Sequence, residues 1–247
     1  MLEATFWGFL AASSLILGAL VSFKLRISDT WLGLIMAFGA GVLMSAVAYE
    51  LVSDSLGDTS KAVEYGLALG AGALTFYVGS VLLARGGIVE IRTDDDHLPS
   101  HRGGRSQGSA IVLGSVLDGI PESIVLGLSI IAGPVSLPVL AAVFISNVPE
   151  ALGASVDLQE DGTSKEHILR LWIVVAVASA VASGIGYLLL SHAAHEVVVM
   201  VQLYAGGAIL AMLAESMIPE AYQKGGRAVG LATVFGFAVA AALSAAA

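Results

Sequence analysis

Residues 115–129 read SVLDGIPESIVLGLS, and the reading of this stretch decides the fold. It lies within an apolar run over about 108–131, and about 20 apolar residues suffice to cross a bilayer as a helix. Asp118, Pro121 and Glu122 interrupt that run near its middle. A charge at the bilayer centre costs about 2.5–3.5 kcal/mol on insertion scales. Proline removes a backbone donor and leaves a carbonyl without its helical partner. The next run repeats the device in VFISNVPEALGAS, residues 143–155, with Pro149 and Glu150. In each case a polar residue stands four positions before the glutamate, Asp118 in the first and Ser146 in the second.

Composition places both stretches in a membrane protein. The chain is 57% hydrophobic and only 13% charged, where a soluble domain would carry about a quarter. Eight runs are long enough to span: about 4–23, 31–53, 64–84, 108–131, 137–157, 168–191, 197–220 and 228–246. Spanning backbone must satisfy its own hydrogen bonds, so the expected fold is all-α and polytopic. The roughly ten-residue alternating segments of a membrane β-barrel are missing. Short connections make residues 1–247 a single integral domain, broken only by a polar, Gly-rich loop at 85–107. Cysteine is absent, which removes disulfides and thiolate metal sites. The net charge of −9 includes no basic patch, so nucleic acid is not an expected partner.

Lysine and arginine set the orientation. The odd-numbered connections hold Lys24, Arg26, Arg85, Arg92, Arg102, Arg105, Lys165, Arg170, Lys224 and Arg227, against Lys61 alone on the even side. The odd loops, with 85–107 among them, are therefore expected in the cytoplasm and both termini outside. Trp31, Trp172 and Tyr222 at inner span ends, and Trp7 and Tyr65 near outer ones, read as interfacial anchors. The first run lacks the basic start of a signal peptide, since Lys24 and Arg26 follow it.

Two internal echoes organise the chain. GAGVLMSAVAYELVSD (39–54) resembles AGGAILAMLAESMIPE (205–220), and the two begin on opposite sides of the membrane. This points to an inverted repeat in a 3+2+3 arrangement of spans. DGIPES and SNVPEA form the second echo, in the two central spans. Glycines such as the Gly66–Gly70 GxxxG, Gly39, Gly41, Gly206 and Gly207 suit close helix packing.

The spacing of the midspan groups favours a shared site. Asp118 and Glu122 are i,i+4, as are Ser146 and Glu150, while Asn147 and Glu150 are i,i+3, so each set shares a helix face. Two facing helices would converge Asp118, Glu122, Ser146, Asn147 and Glu150 into an oxygen-rich shell for a divalent cation. No Lys, Arg or His falls at a matching depth, so a proton or a cation must offset the carboxylates. Pro121 and Pro149 free the carbonyls of Leu117 and Ile145 for the same purpose. A packing kink with protonated, structural or proton-relaying carboxyls is the alternative.

These motifs resemble the ZIP (Zrt/Irt-like) family of divalent-metal transporters, in a divergent bacterial-type form, over essentially the whole chain. The family's fourth-span His-Asn-x-Pro-Glu-Gly stands here as Asp118-Gly119-Ile120-Pro121-Glu122-Ser123. Its fifth-span counterpart stands as Ser146-Asn147-Val148-Pro149-Glu150-Ala151. The seventh-span acid before Ile-Pro-Glu is Glu215, followed by Ile218-Pro219-Glu220, and the Gly-rich second span contains Met44. The resemblance implies eight spans and a metal path through Asp118, Glu122, Ser146, Asn147, Glu150, Glu215 and Met44. Both characteristic histidines are replaced, and the stretch ASGIGYLLL from Ala182 lacks the sixth-span acid of many relatives. Carboxylates favour harder cations than imidazole does, so Zn²⁺ with Mn²⁺, Fe²⁺ or Cd²⁺ is the expected cargo.

Further acids extend the path by depth: Glu50 and Asp54 at the outer end, and Asp157, Glu215 and Glu220 towards the cytoplasm. Ordinary interfacial solvation explains Glu50, Asp54, Asp157 and Glu220 equally well, whereas Glu215 lies deeper and matches the family pattern, which favours a functional role. His192, His195 and Glu196 read as an outer solvated loop or a metal-gathering cluster, and Asp94, Asp95, Asp96, His97 and His101 as an acidic loop or a weak His-rich one. No ATP-binding motif is present. The expected function is thus a divalent metal carrier into the cytoplasm, not an enzyme and without a resident cofactor. Its partners are metal ions and the lipid bilayer, with a homodimer as the candidate assembly. Its place is the cell membrane (inner or plasma membrane), which it crosses many times. A proton or small-solute carrier on the same scaffold is the alternative; a metal-sensing receptor is a further one. An intramembrane hydrolase lacks a midspan histidine.

Overall fold

Long runs of Leu, Val, Ala and Ile fold here into helices, which close their own backbone hydrogen bonds. The computed structural model describes residues 1–25, 27–52, 59–85, 119, 121–131 and 136–246, and among them no strand occurs. The helices are α1 (Leu2–Ser22), α2 (Asp29–Ala46), α3 (Ala62–Arg85) and α4 (Pro121–Ile131). They continue with α5 (Leu137–Glu160), α6 (Lys165–Leu190), α7 (His195–Met212), α8 (Ile218–Gly225) and α9 (Val229–Ala246). Six stretches among the described residues are long and apolar enough to cross a membrane, the last being the continuous His195–Ala245. The fourth expected run is described only from Gly119 onward, as the shorter apolar α4. Residues 86–107 of the expected loop, with Arg26, Asp54 and Asp118, lie outside the described residues.

Two helices widen into π-turns, at Val47–Val52 after α2 and at Leu213–Met217 after α7. These are the two segments that echo each other in sequence. Each π-turn carries a glutamate, Glu50 in the first and Glu215 in the second. Such insertions occur mostly as single wide turns and often at functional positions.

The main helix pairs are α2 with α9, α3 with α7, and α1 with α6 and α5. Glycines set the closest approaches. A Cβ on Gly41 would strike the Thr233 backbone of α9, and one on Gly236 the Phe38 backbone of α2. Likewise a Cβ on Gly72 would strike Tyr204 of α7, and one on Gly207 the Leu69 backbone of α3. Exchanging α1, α2 and α3 for α6, α7 and α9 turns the α2–α9 pair into α7–α3 and returns α1–α6 to itself, while α1–α5 falls outside this exchange.

Gly66 and Gly70 do not pack as the GxxxG reading expects, because nothing among the described residues lies within 4 Å of a Cβ on either. Two residues on, Gly72 points the other way round the helix, and it is Gly72 that meets α7. Trp172 also departs from the expected interfacial anchor. It is fully buried, and its Nε1 donates to the Ser155 hydroxyl at 2.8 Å. The ring thereby joins α6 to α5 instead of facing a membrane surface. Trp31 and Tyr222 are exposed, as anchors would be.

Candidate functional site

Glu122 lies on α4 and is buried, with 4% of its surface exposed. Pro121 directly precedes it, and Gly119 is helical as well. On α5, Ser136 caps the N-terminus by accepting from the Val139 N–H at 3.4 Å, and Pro138 follows in the first turn. The helix then runs through Pro149 without ending. Asn147 and Glu150 project from one face of it.

Those faces meet. Glu122 and Ser123 of α4, Asn147 and Glu150 of α5, Ser179 of α6 and Gly119 line one cavity, walled on the α1 side by Gly8, Ala11, Ala12 and Leu15. The space for a water's centre is about 10 Å³, room for about one water-sized occupant. Two carboxylates, an amide and two hydroxyls around a space of that size form a hard-oxygen donor set. Such a set can hold a cation or pass a proton. A second cavity of similar size also borders Glu122, its sole charged lining residue among the described residues, with Leu43, Val47, Leu51, Val125, Val139, Val143 and Ile209.

Of the remaining expected site residues, the described ones, Ser146, Met44 and Glu215, do not line the first cavity. Ser146 is buried, but its hydroxyl donates to the Val143 carbonyl of its own helix at 3.0 Å. Its backbone packs against α2, with the Ser146 Cα 3.1 Å from where a Cβ on Gly39 would sit. The Ile145 carbonyl freed by Pro149 faces the same glycine, 3.6 Å from that position. Met44 packs onto the apolar cluster of Leu43, Val47 and Ile209 and lines neither cavity. Glu215 is exposed, and its Oε2 accepts from the Ser80 hydroxyl of α3 at 3.2 Å. Asp118 is outside the described residues. Among the described residues, no three His, Cys, Asp or Glu side chains gather as metal ligands.

The acids near the ends have partners. Ser136 Oγ donates to Glu50 at 2.8 Å, joining the first π-turn to the start of α5. Lys61 pairs with Glu196 at 2.5 Å. At the opposite end Lys224 lies 3.3 Å from Glu220 and 3.9 Å from Asp157.

Sequence reasoning missed Ser123 and Ser179. The signal for Ser179 was available: Ser179 and Ser183 are i,i+4 in a strongly apolar helix, and both are buried. A Cβ on Gly119 would lie 3.3 Å from Ser179 Oγ, so the glycine makes room for the hydroxyl. No family model matches the chain, and no curated protein matches it.

Proposed function

We propose that the protein carries divalent metal cations across a membrane, binding them between α4 and α5 in the manner of the ZIP-like pattern of its motifs. One observation carries the reading. Glu122 and Glu150, each directly following a proline and each on a different apolar helix, line one small cavity together with Asn147, Ser123 and Ser179. Two carboxylates with neutral oxygen donors suit Mn²⁺ and Zn²⁺ better than an apolar solute. Eight spans in a 3+2+3 inverted repeat agree with the two echoing π-turns and with the exchange of the α2–α9 and α3–α7 pairs. The basic connections then face the cytoplasm and the termini face outward. Glu50 and Ser136 fall at the outer end of such a path, and Asp157 and Glu220 at the inner end.

Uptake of Zn²⁺ and Mn²⁺ by reconstituted protein, wild type against Glu150→Ala, tests this directly. The variant should lose at least tenfold in rate; equal uptake would remove Glu150 from the path. A proton or small-solute carrier is the second reading, favoured by the lack of a three-ligand cluster among the described residues. Metal-dependent thermal stabilisation separates the two. A shift with Zn²⁺ or Mn²⁺ that disappears in Glu122→Ala supports metal, and no shift in the wild type supports the proton.

A further inference from the structure

Among the described residues, one lysine reaches the inner end of the proposed path. Lys224 Nζ lies 3.3 Å from Glu220, one turn earlier on α8, and 3.9 Å from Asp157 on α5. Its side chain is 19% exposed, whereas the carboxylates are 43% and 50% exposed. Surface lysines normally carry the ammonium out to water; here the lysine is the most buried member of its cluster. Glu150, Gly153 and Asp157 share one face of α5, three and seven residues apart. A Cβ on Gly153 would stand 3.7 Å from Glu220 Oε1 and 3.8 Å from Lys224 Nζ. The ammonium thus sits on the stripe that begins at the cavity carboxylate Glu150, about 5–10 Å along the helix at 1.5 Å per residue. The element that carries it is short and bounded by distinctive backbone. A π-turn precedes α8, Pro219 lies in its first turn, and Gly226 follows at φ +62°.

We propose that Lys224 is a tethered cation that closes the bundle beyond the Glu122–Glu150 cavity, so that a passing ion must displace it from Asp157 and Glu220. The proposal rests on the carrier reading above. Displacement also selects among ions. A divalent ion gains about twice the Coulomb attraction of a monovalent one from the same two carboxylates. It can therefore replace the ammonium, whereas K⁺ or Na⁺ at the same distance gains no advantage over a lysine already in place. Lys224 is on this view a specificity-determining residue as well as the closing one.

The absence of cysteine gives a direct test. Asn147→Cys, the sole thiol in the full chain, reports access to the cavity from the Lys224 end. A zwitterionic, membrane-impermeant maleimide applied to membrane vesicles exposing that end should label it slowly. Adding Lys224→Met should speed labelling about tenfold, and Lys224→Arg should keep it slow. Equal rates in all three overturn the closure, whether or not the protein carries metal. Should Lys224→Met fail to fold, Asp157→Asn removes the partner on α5 and should give the same acceleration; labelling at the unaltered rate counts against the proposal. In proteoliposomes Lys224→Met should raise K⁺ leak severalfold over wild type, and no leak overturns the selectivity. Wild-type vesicles that take up neither Zn²⁺ nor Mn²⁺ would instead sink the carrier reading and leave the labelling result standing.

Discussion

The Trp172 indole N–H donates to the Ser155 hydroxyl across the α5–α6 interface, and both side chains are buried. The ring packs in a cluster with Leu15, Leu158 and Ile168, so three helices share it. Ser155→Ala would leave a buried donor unmatched, at a cost of about 1–3 kcal/mol. For a chain of this size, that corresponds to about 2–4 °C of melting temperature per kcal/mol. Tryptophan fluorescence of the detergent-solubilised variant during heating should show the fall, and an unchanged midpoint would mean that another acceptor takes over.

Ser179 contributes a hydroxyl that the Pro-Glu motifs do not contain. Ser179→Ala should weaken the apparent affinity for Mn²⁺ about threefold to tenfold, up to about 1.4 kcal/mol, with little change in maximal rate. Gly119→Ala should act in the same direction, since its Cβ would come within 3.3 Å of Ser179 Oγ and turn the hydroxyl aside. Concentration dependence of uptake distinguishes these outcomes from a purely structural role, which would lower the maximal rate instead.

The glycines of α3 offer a matched pair. Gly70 faces open space, so Gly70→Ala should be neutral or stabilise by about 0.5–1 kcal/mol through helix propensity. Gly72 abuts the Tyr204 backbone, so Gly72→Ala should push α3 and α7 apart and cost about 1–3 kcal/mol. Thermal midpoints of the two variants, measured side by side, check the contrast.

Metal choice should respond to Asp118. Asp118→His would replace a carboxylate by an imidazole, which favours Zn²⁺ over Mn²⁺. Competition uptake should show the ratio of Zn²⁺ to Mn²⁺ rising severalfold. An unchanged ranking would place selectivity elsewhere.

Helix positions were largely legible in the sequence because hydropathy reports span length directly. The expected 137–157 and 168–191 runs correspond to α5 (Leu137–Glu160) and α6 (Lys165–Leu190). Facing directions were less legible. All sides of a membrane helix are apolar, so periodicity does not say which glycine meets a neighbour, and Gly66 and Gly70 were favoured over Gly72. Within the site, the i,i+3 pair Asn147 and Glu150 was readable, and the structure sets both on the cavity. Ser146 was grouped with them, yet its hydroxyl closes onto Val143. A serine in an apolar helix can satisfy itself on its own backbone, an option that spacing alone does not weigh. Ser179 was passed over because the i,i+4 serine pair it forms with Ser183 carries no charge and no proline to set it apart from packing serines.

The π-turns at Val47–Val52 and Leu213–Met217 act on helix phase. Each widened turn holds a residue more than an α-turn would, and one residue corresponds to about 100° of rotation. Before its π-turn, α2 presents Gly41 to α9; within the turn, Val47 and Leu51 reach Gly206 of α7. A single helix thus serves two neighbours that an unbroken α-register could not address with the same residues. Deleting one residue inside either turn would restore α-geometry and swing the far half of the helix by that angle, carrying Glu50 away from Ser136 or Glu215 away from Ser80. These two turns are therefore the places where the length of the chain, more than the identity of any side chain, sets the aim of the acids.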